Sequence, residues 1–305
     1  MCAAVRRQAG NDSESKESII PRLFLSRRPL LLQAALTSVL LIWHCSPAPA
    51  QTVNWIGTTN DWFTGTNWST GLVPSPADDV VIDTSIFPPP IVNGPGSATA
   101  HTLDIGGQFD LNTGIASTGT GFLTVANGGQ LANSTGNFFD TFIGVGTGST
   151  GGVTVTGAGS SWTSTGAVLV GSSGANGSLT LDGRGTADFG ALFVGSSLAD
   201  FTGLPITNGS GPSTGTLTVT GGSQLTATFF ADAGVGRGAT GTVTVSGTGS
   251  SLSSDGGVLV GVLGGNGTLS VVDGATLTTG PNGPFPFSVI GGGGPSKETG
   301  RLGPS

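Results

Sequence analysis

A short motif of the form Gly-x-(Leu/Val)-(Thr/Ser)-(Val/Leu) occurs six times in this 305-residue chain. Its copies begin at Gly121, Gly151, Gly177, Gly215, Gly241 and Gly267. Successive copies are separated by 30, 26, 38, 26 and 26 residues. Residues 143–180 also align without gaps on residues 233–270, with 23 of 38 positions identical, which indicates that three copies were duplicated together. A period of this length is typical of repeat architectures, in which each unit packs on its neighbours.

Every copy of the motif carries two apolar residues that lie two positions apart, with Thr or Ser between them. Alternate side chains of a β-strand share one face, so each apolar pair is predicted to point inward and the hydroxyl residue outward. β-Branched Thr and Val favour the extended conformation. The predicted core ladder consists of Leu123, Val125, Val153, Val155, Leu179, Leu181, Leu217, Val219, Val243, Val245, Leu269 and Val271.

Most units contain two further apolar positions after the motif. The second position is occupied by Leu131, Trp162, Leu225, Leu252 and Leu277. The third is an apolar residue followed by glycine, at Val145–Gly146, Val170–Gly171, Val194–Gly195, Val235–Gly236, Val260–Gly261 and Ile290–Gly291. One unit therefore predicts about three short strands joined by turns, and it buries its apolar face only by stacking on equivalent units.

The sequence thus predicts an all-β fold, a right-handed parallel β-helix or solenoid. Glycine supplies 56 residues, and most of them lie beyond residue 90, where they suit the corners between strands. Glycine follows no every-third-residue pattern, which excludes collagen, and only 9% of residues are charged, which excludes a coiled coil. An antiparallel sandwich is the alternative fold, but it does not require a period of 26 residues.

Residues 1–50 differ from the rest of the chain and are predicted to be a signal peptide. Six of the ten Lys and Arg residues lie here, with an apolar run over 29–43 and the small residues Ala48 and Ala50. This order is typical of a secretory signal, and cleavage after Ala50 would leave Gln51 first. An uncleaved membrane anchor is the alternative, but a run of about 15 residues is short for a span of about 20. An Arg-Arg pair before the run leaves twin-arginine export open.

Removal of the signal changes the charge and the cysteine content. Cys2 and Cys45 both lie within it, so the remaining chain has no disulfide framework. That remainder keeps four basic residues against fourteen acidic ones. It has no basic patch that could neutralise phosphates, so nucleic acid is not an expected partner.

Residues 51–120 precede the regular repeats and are predicted to form an N-terminal cap with irregular first turns. Trp55, Trp62 and Trp68 lie close together in this region. A cap is needed because the first turn of a solenoid otherwise exposes core and strand edges. A tryptophan platform for stacking on carbohydrate is the alternative.

The repeat region is predicted to cover residues 121–291, and residues 292–305 are predicted to be a disordered tail. Residues 196–214 are about 12 residues longer than the matching part of a 26-residue unit. They are predicted to form an inserted loop, either on a binding face or as neutral surface variation.

The chain beyond residue 50 carries no recognisable catalytic, cofactor or metal signature. His101 is its only histidine and lies beside no nucleophile motif, which argues against a hydrolytic triad. Numbered from the first glycine of each unit, no two aspartates share a position. Isolated, solvated turn carboxylates are therefore expected at Asp140, Asp182, Asp188, Asp232, Asp255 and Asp273. Three neighbouring acids, Asp78, Asp79 and Asp83, form only a weak cation candidate. We therefore predict no enzyme activity, no cofactor and no metal ion.

The six motifs, each with a downstream Val-Gly, resemble the β-strand repeats of autotransporter passenger domains. The most similar repeat is the one shared with PEP-CTERM-sorted bacterial surface proteins. The opening residues Trp55-Ile56-Gly57, Trp62 and Asn67-Trp68-Ser69 resemble the start of such passengers, and the resemblance covers residues 51–291. It implies a Gram-negative cell envelope, export across the inner membrane and a β-helical stalk outside. Unlike those proteins, the chain carries no translocator barrel pattern or Pro-Glu-Pro sorting signal after the repeats.

Composition and resemblance together favour an exported scaffold, extracellular or on the outer cell surface, or periplasmic if it is not translocated. Its expected role is structural or adhesive. Its expected partners are host or neighbouring-cell glycans or proteins, and a separate outer-membrane translocator. Two alternatives stay open: a carbohydrate lyase or hydrolase built on a β-helix, which rests on fold analogy alone, and a truncated passenger fragment.

Expression of the full chain in a Gram-negative host is expected to yield an exported form that begins at Gln51. The reason is that the signal peptidase selects small side chains at the positions of Ala48 and Ala50. The intact mass of the exported protein measures the cleavage point. Substitution Ala50→Arg is expected to leave the precursor uncleaved, and unchanged processing of this variant would contradict the predicted site.

Overall fold

The computed structural model describes residues 50–110, 115–197, 211–280, 289–292 and 298–302, with side chains for 50–110, 116–197 and 211–280. The predicted signal peptide, with Ala48, lies outside the described residues. So do most of the predicted insertion, at 198–210, and much of the predicted tail, at 293–297 and 303–305.

The described chain is built from short β-strands. In chain order these are β1 (Gln51–Asn54), β2 (Asp78–Ile82), β3 (Ile91–Asn93), β4 (Ser97–Ala100), β5 (Leu103–Ile105), β6 (Phe109–Asp110), β7 (Ile115–Ala116), β8 (Thr120–Ala126), β9 (Gln130–Asn133), β10 (Phe139–Val145), β11 (Thr150–Thr156), β12 (Ser161–Ser172), β13 (Asn176–Asp182), β14 (Thr186–Ser196), β15 (Ser213–Val219), β16 (Gln224–Ala227), β17 (Ala231–Val235), β18 (Ala239–Ser246), β19 (Ser251–Ser254), β20 (Val258–Val262), β21 (Asn266–Val272), β22 (Thr276–Thr279), β23 (Val289–Gly292) and β24 (Glu298–Leu302). One 3-10 turn lies at Gly65–Asn67.

Parallel pairing arranges these strands as three faces of a solenoid. Face 1 contains the motif strands, in the order β3-β8-β11-β13-β15-β18-β21-β24, one for each of eight turns. Face 2 contains β4, β9, the first half of β12, the first half of β14, β16, β19 and β22. Face 3 contains β1, β2, β5, β10, the second halves of β12 and β14, β17, β20 and β23. The predicted all-β parallel solenoid is therefore confirmed, and the antiparallel sandwich is excluded.

Face 1 stacks the motif copies residue upon residue. Its two inward rows are Leu123–Val153–Leu179–Leu217–Val243–Leu269 and Val125–Val155–Leu181–Val219–Val245–Val271. All twelve side chains are buried. Between the two rows, the outward row Thr124–Thr154–Thr180–Thr218–Thr244–Ser270 is half-exposed. Identical positions thus recur at the spacing of neighbouring strands, about 4.8 Å.

The other two faces complete a single interior core. On face 2, Leu131 and Trp162 stack in register with Ala187, Leu225 and Leu252. On face 3, the inward row is Ile82–Ile105–Ile143–Val170–Val194–Ala233–Val260. Side chains from all three faces belong to one hydrophobic cluster that runs the length of the solenoid.

Two columns of glycine lie where face 3 turns into face 1. The first glycine of each motif faces a closing glycine of face 3, and the closing column is Gly106, Gly144, Gly171, Gly195, Gly234 and Gly261, with φ between 63° and 71°. A Cβ atom at Gly171 would lie 1.9 Å from the carbonyl oxygen of Thr214. A Cβ atom at Gly177 would lie 2.0 Å from the backbone nitrogen of Gly171. Only glycine allows the two backbones to approach so closely.

The register corrects the predicted closing position in two units. Gly146 and Gly236 were assigned to the closing column from the sequence. The strand pairing instead aligns Ile143 with Val170, which places Gly144 beside Gly171. It likewise aligns Val194 with Ala233, which places Gly234 in the column. Both units contain two Gly residues two positions apart, so the sequence alone does not distinguish them.

The three tryptophans of residues 51–120 pack at the first turn. The ring of Trp68 makes edge-to-face contacts with Trp55, at a centroid distance of 4.9 Å, and with Trp62, at 4.7 Å. The indole N–H of Trp68 donates to the carbonyl of Trp62 at 2.8 Å, and that of Trp55 donates to the carbonyl of Pro88 at 2.9 Å. All three rings are buried and join the solenoid core. Their faces are therefore not available for stacking on a carbohydrate.

A second apolar layer covers the outside of face 3. The outward row Val81–Asp104–Phe142–Leu169–Phe193–Asp232–Leu259 runs along this face. Phe109 packs on Phe142 with ring centroids 5.0 Å apart, and Phe230 packs on Phe193 at 5.1 Å. These rings form a separate hydrophobic cluster, so face 3 is buried on both sides over its middle turns.

Substitution Gly171→Ala is expected to lower the free energy of unfolding by more than about 4 kcal/mol, because the methyl group meets rigid backbone atoms. Gly148→Ala is the matched control. Gly148 has a φ of 83° and nothing within 4 Å of a Cβ atom, so its cost is about 1–2 kcal/mol from backbone strain alone. Chemical denaturation measures both variants, and equal losses would refute the close contact.

Candidate functional site

A pocket of about 380 Å³ opens on the outer side of face 3 at the first turns. Its lining residues are Thr52, Asp79, His101, Thr102, Asp104, Gln108, Phe109, Asp110, Thr135 and Asn137. They come from three stacked strands, β1, β2 and β5, from β6, and from the connections that precede β5 and β6 and that join β9 to β10. This volume lies in the range of small-molecule sites.

Strand alternation places the acidic residues of the pocket. Val80 and Ile82 of β2 point into the core, so Asp79 points outward beside them. Leu103 and Ile105 of β5 also point inward, so Asp104 between them points outward. The two strands pair in parallel, which brings both carboxyl groups to the same surface.

Asp79 organises the exposed half of the pocket. Its Oδ1 atom lies 2.8 Å from Nδ1 of His101 and accepts a hydrogen bond from the Thr102 hydroxyl at 2.8 Å. The side chains of Asp79 and His101 are 29% and 30% exposed, so a ligand can reach this pair. The backbone N–H of His101 donates to the carbonyl of Asp78 at 2.8 Å, which fixes the histidine next to β2.

Asp104 forms the buried half and is only 4% exposed. Its Oδ2 atom accepts the backbone N–H of Phe109 at 3.4 Å, whereas Oδ1 has no hydrogen-bond partner among the described residues. Burial raises the pKa of Asp104 well above its ordinary value of 3.8. The N–H of Phe109 offsets part of this rise and the charge of Asp79 adds to it. The pocket thus combines a partly exposed acid with a buried acid whose pKa is raised.

A β-hairpin closes one side of the pocket. Strand β6 pairs antiparallel with β7, and the Gln108 carbonyl accepts the N–H of Ser117 at 2.8 Å. The hydroxyl of Ser117 in turn accepts the N–H of Gln108 at 2.9 Å. Phe109 packs on Phe142, which anchors the hairpin on the outer layer of face 3.

Two aspartates expected in solvated turns are instead buried. Asp140 is fully buried, but its carboxylate accepts hydrogen bonds from the backbone and hydroxyl of Thr135, from the hydroxyl of Thr165 and from the N–H of Gly166. Asp232 is 2% exposed and lies in register beside Phe193. The N–H of Leu259 lies close enough to act on its carboxyl, but neither oxygen closes a hydrogen bond of ordinary geometry among the described residues. The expectation was wrong because both residues lie in strands of face 3, not in turns.

The other acids considered from the sequence do not converge on one site. The carboxylate of Asp78 accepts from Ser75 and that of Asp83 from Ser85, whereas Asp79 faces the pocket. Asp182 lies on face 1 and Asp188 on face 2, and both are exposed. No cluster of three metal-binding side chains is found in the part of the chain that the structure describes. Within the same part, no helix is long and apolar enough to span a membrane.

No repeat or motif in the sequence predicts this pocket. Asp104 lies between the apolar residues Leu103 and Ile105, so strand alternation alone indicates its outward direction. The pairing of its strand with β2 does not follow from the sequence, because residues 51–120 carry no copy of the repeat motif that would set the register.

Comparisons of the chain with protein-family models, with curated proteins and with solved structures find no match. The site must therefore be interpreted from its own chemistry. Three carboxyl groups, an imidazole and several hydroxyl and amide groups can bind a polar ligand, and can exchange protons with it.

Asp232→Asn is expected to stabilise the protein at alkaline pH. Burial raises the pKa of Asp232 from 3.8 to about 8, with a smaller opposing effect from the N–H of Leu259, so folding favours the protonated acid. The stability of the wild type is therefore expected to decline as the pH rises from 3.8 to about 8, and the variant removes this decline.

The difference at pH 9 is expected to be a few kcal/mol, and to vanish at pH 4. Unfolding free energies measured across this pH range test the expectation. Asp188→Asn is the matched control, since its carboxylate is exposed. Parallel pH profiles for the wild type and Asp232→Asn would contradict it.

Proposed function

We propose that this protein is an exported β-helical scaffold with an adhesive or structural role outside the cell, similar to an autotransporter passenger domain. The observation that carries the proposal is the outer surface of face 1. Six stacked turns display a row of five threonines and one serine along the axis, without a charged residue in that row. Such a hydroxyl-lined wall offers repeated hydrogen-bonding groups to a polymer or a cell surface.

Export of the scaffold is supported by the signal-like residues 1–50 and by the absence of cysteine from the chain after them. An acidic surface with few basic residues favours partners other than nucleic acid. Surface glycans or proteins of host or neighbouring cells are the partners we propose, together with a separate translocator for delivery.

A carbohydrate-active enzyme is the second candidate function, and the pocket on face 3 is the observation that favours it. An acid with a raised pKa beside an ionisable, accessible acid is the arrangement that glycoside hydrolysis uses for proton donation and base catalysis. This candidate assigns proton donation to Asp104 and base catalysis to Asp79.

Residues 51–305, purified and applied to glycan arrays and to whole bacterial and host cells, are expected to bind a defined surface. The repeated hydroxyl wall provides many weak contacts, so binding is expected to strengthen when the protein is displayed in several copies. Flow cytometry and array fluorescence measure it. Absence of binding to every surface would count decisively against adhesion.

The same protein tested on polysaccharides is expected to release no reducing ends and no unsaturated products. Release that is abolished by Asp79→Asn and by Asp104→Asn, but kept by Asp182→Asn and Asp188→Asn, would establish the enzyme candidate instead. The latter two side chains are exposed and lie on other faces, so they serve as controls.

A further inference from the structure

Acidic side chains predominate in the pocket on face 3. Three aspartates, Asp79, Asp104 and Asp110, line it together with His101. No Lys or Arg lies among the described residues that line it. The potential inside such a concave, partly desolvated site favours a cation. A metal ion is not the expected cation, since no three of the described acidic and histidine side chains are placed so that they could hold one.

Asp104 provides an independent indication that the pocket can bind a ligand. Its side chain is 4% exposed, lines the pocket and leaves Oδ1 without a hydrogen-bond partner among the described residues. Buried carboxyl oxygens are normally paired, because an unpaired one loses its hydration without compensation. The contrast with Asp140 is direct: that acid is equally buried, but donors from three residues satisfy it.

The remaining wall is suited to a hydroxylated ligand. Hydroxyl groups of Thr52, Thr102 and Thr135 and amide groups of Gln108 and Asn137 surround the acids. The hydroxyl groups of a sugar ring can form hydrogen bonds with such a wall. An extended alkyl chain, as in lysine, would leave most of these polar groups unpaired.

We propose that this pocket binds an amino sugar, with its ammonium group between Asp79 and Asp104 and its hydroxyl groups on the Thr, Gln and Asn side chains. The proposal deepens the adhesive role and rests on it: the partner would be a glycan that carries free amino groups. The ammonium forms charge-assisted hydrogen bonds with both carboxylates.

Ionisation of Asp104 follows from this geometry. Burial raises the pKa and so favours the protonated carboxyl in the free pocket, whereas an adjacent ammonium favours the charged form. Binding is therefore expected to release a proton from Asp104 to the buffer. Asp79, His101 and Asp110 also face the ligand, so the Asp104→Asn variant is needed to separate its contribution from theirs.

Isothermal titration of the full chain, as exported, with a glucosamine tetramer tests the proposal. The N-acetylated tetramer and a lysine-rich peptide are titrated in parallel. The glucosamine tetramer is expected to bind at least about tenfold more tightly than either comparator, and Asp79→Asn and Asp104→Asn are each expected to weaken it about tenfold or more. Asp188→Asn, the matched exposed acid, is expected to bind as the wild type does. The titration is repeated in two buffers of different ionisation enthalpy. The difference between the two binding enthalpies is expected to show proton release for the wild type and none for Asp104→Asn.

Asn137→Ala tests the pocket with a variant that is expected to fold, because this side chain lines the pocket but is exposed. It is expected to weaken binding several-fold with unchanged thermal unfolding. Equal binding of the N-acetylated tetramer, preference for the lysine peptide, or an equal loss in Asp188→Asn would each overturn the proposal. Glycan binding that both Asp79→Asn and Asp104→Asn retain would also overturn the amino-sugar site, but it would leave the adhesive role intact. Absence of binding to any glycan or cell would overturn both the amino-sugar site and the adhesive role.

Discussion

The close contact between two backbones at the glycine columns is the constraint on which the whole solenoid depends. Each closing glycine of face 3, such as Gly171, adopts a left-handed φ and lies against the first glycine of the next motif, here Gly177. A side chain at either position would collide with backbone atoms, which cannot move aside. The turn from face 3 into face 1 therefore fixes the register of both faces together, and the apolar ladders follow from that register.

Inward and outward positions of the strands differ in the residue types that they accept. Inward rows keep apolar side chains, mostly Leu, Val and Ile, because each side chain packs on equivalents above and below it. Outward positions carry hydroxyl residues on face 1, but on face 3 they carry an apolar row that phenylalanine rings cover. The two buried and poorly satisfied carboxyls, Asp104 and Asp232, interrupt this same row. Their positions therefore follow from strand alternation, whereas their burial follows from the aromatic layer.

The first turns of the solenoid contain both the buried tryptophan cluster and the pocket. Three tryptophans close the end of the core, and the strands beside them, β1, β2 and β5, are short and irregularly spaced along the chain. Such turns tolerate polar outward residues and an added hairpin, since they need not match a repeated neighbour on every side. A pocket lined by Asp79, His101 and Asp104 is consistent with that freedom, and the regular turns show no comparable group of acids among the described residues.

The sequence by itself determined the fold class, the three strands per unit, the inward rows of face 1 and the second position on face 2. It could do so because a strand alternates with a period of two, and the motif repeats without gaps over long stretches. Only the tertiary structure decided that Gly144 and Gly234, and not Gly146 and Gly236, belong to the closing column, because both choices fit the local pattern. It alone brought Asp79 beside Asp104 and buried Asp232. Those contacts join strands with no shared motif or depend on covering rings, and neither leaves a signal in a single sequence.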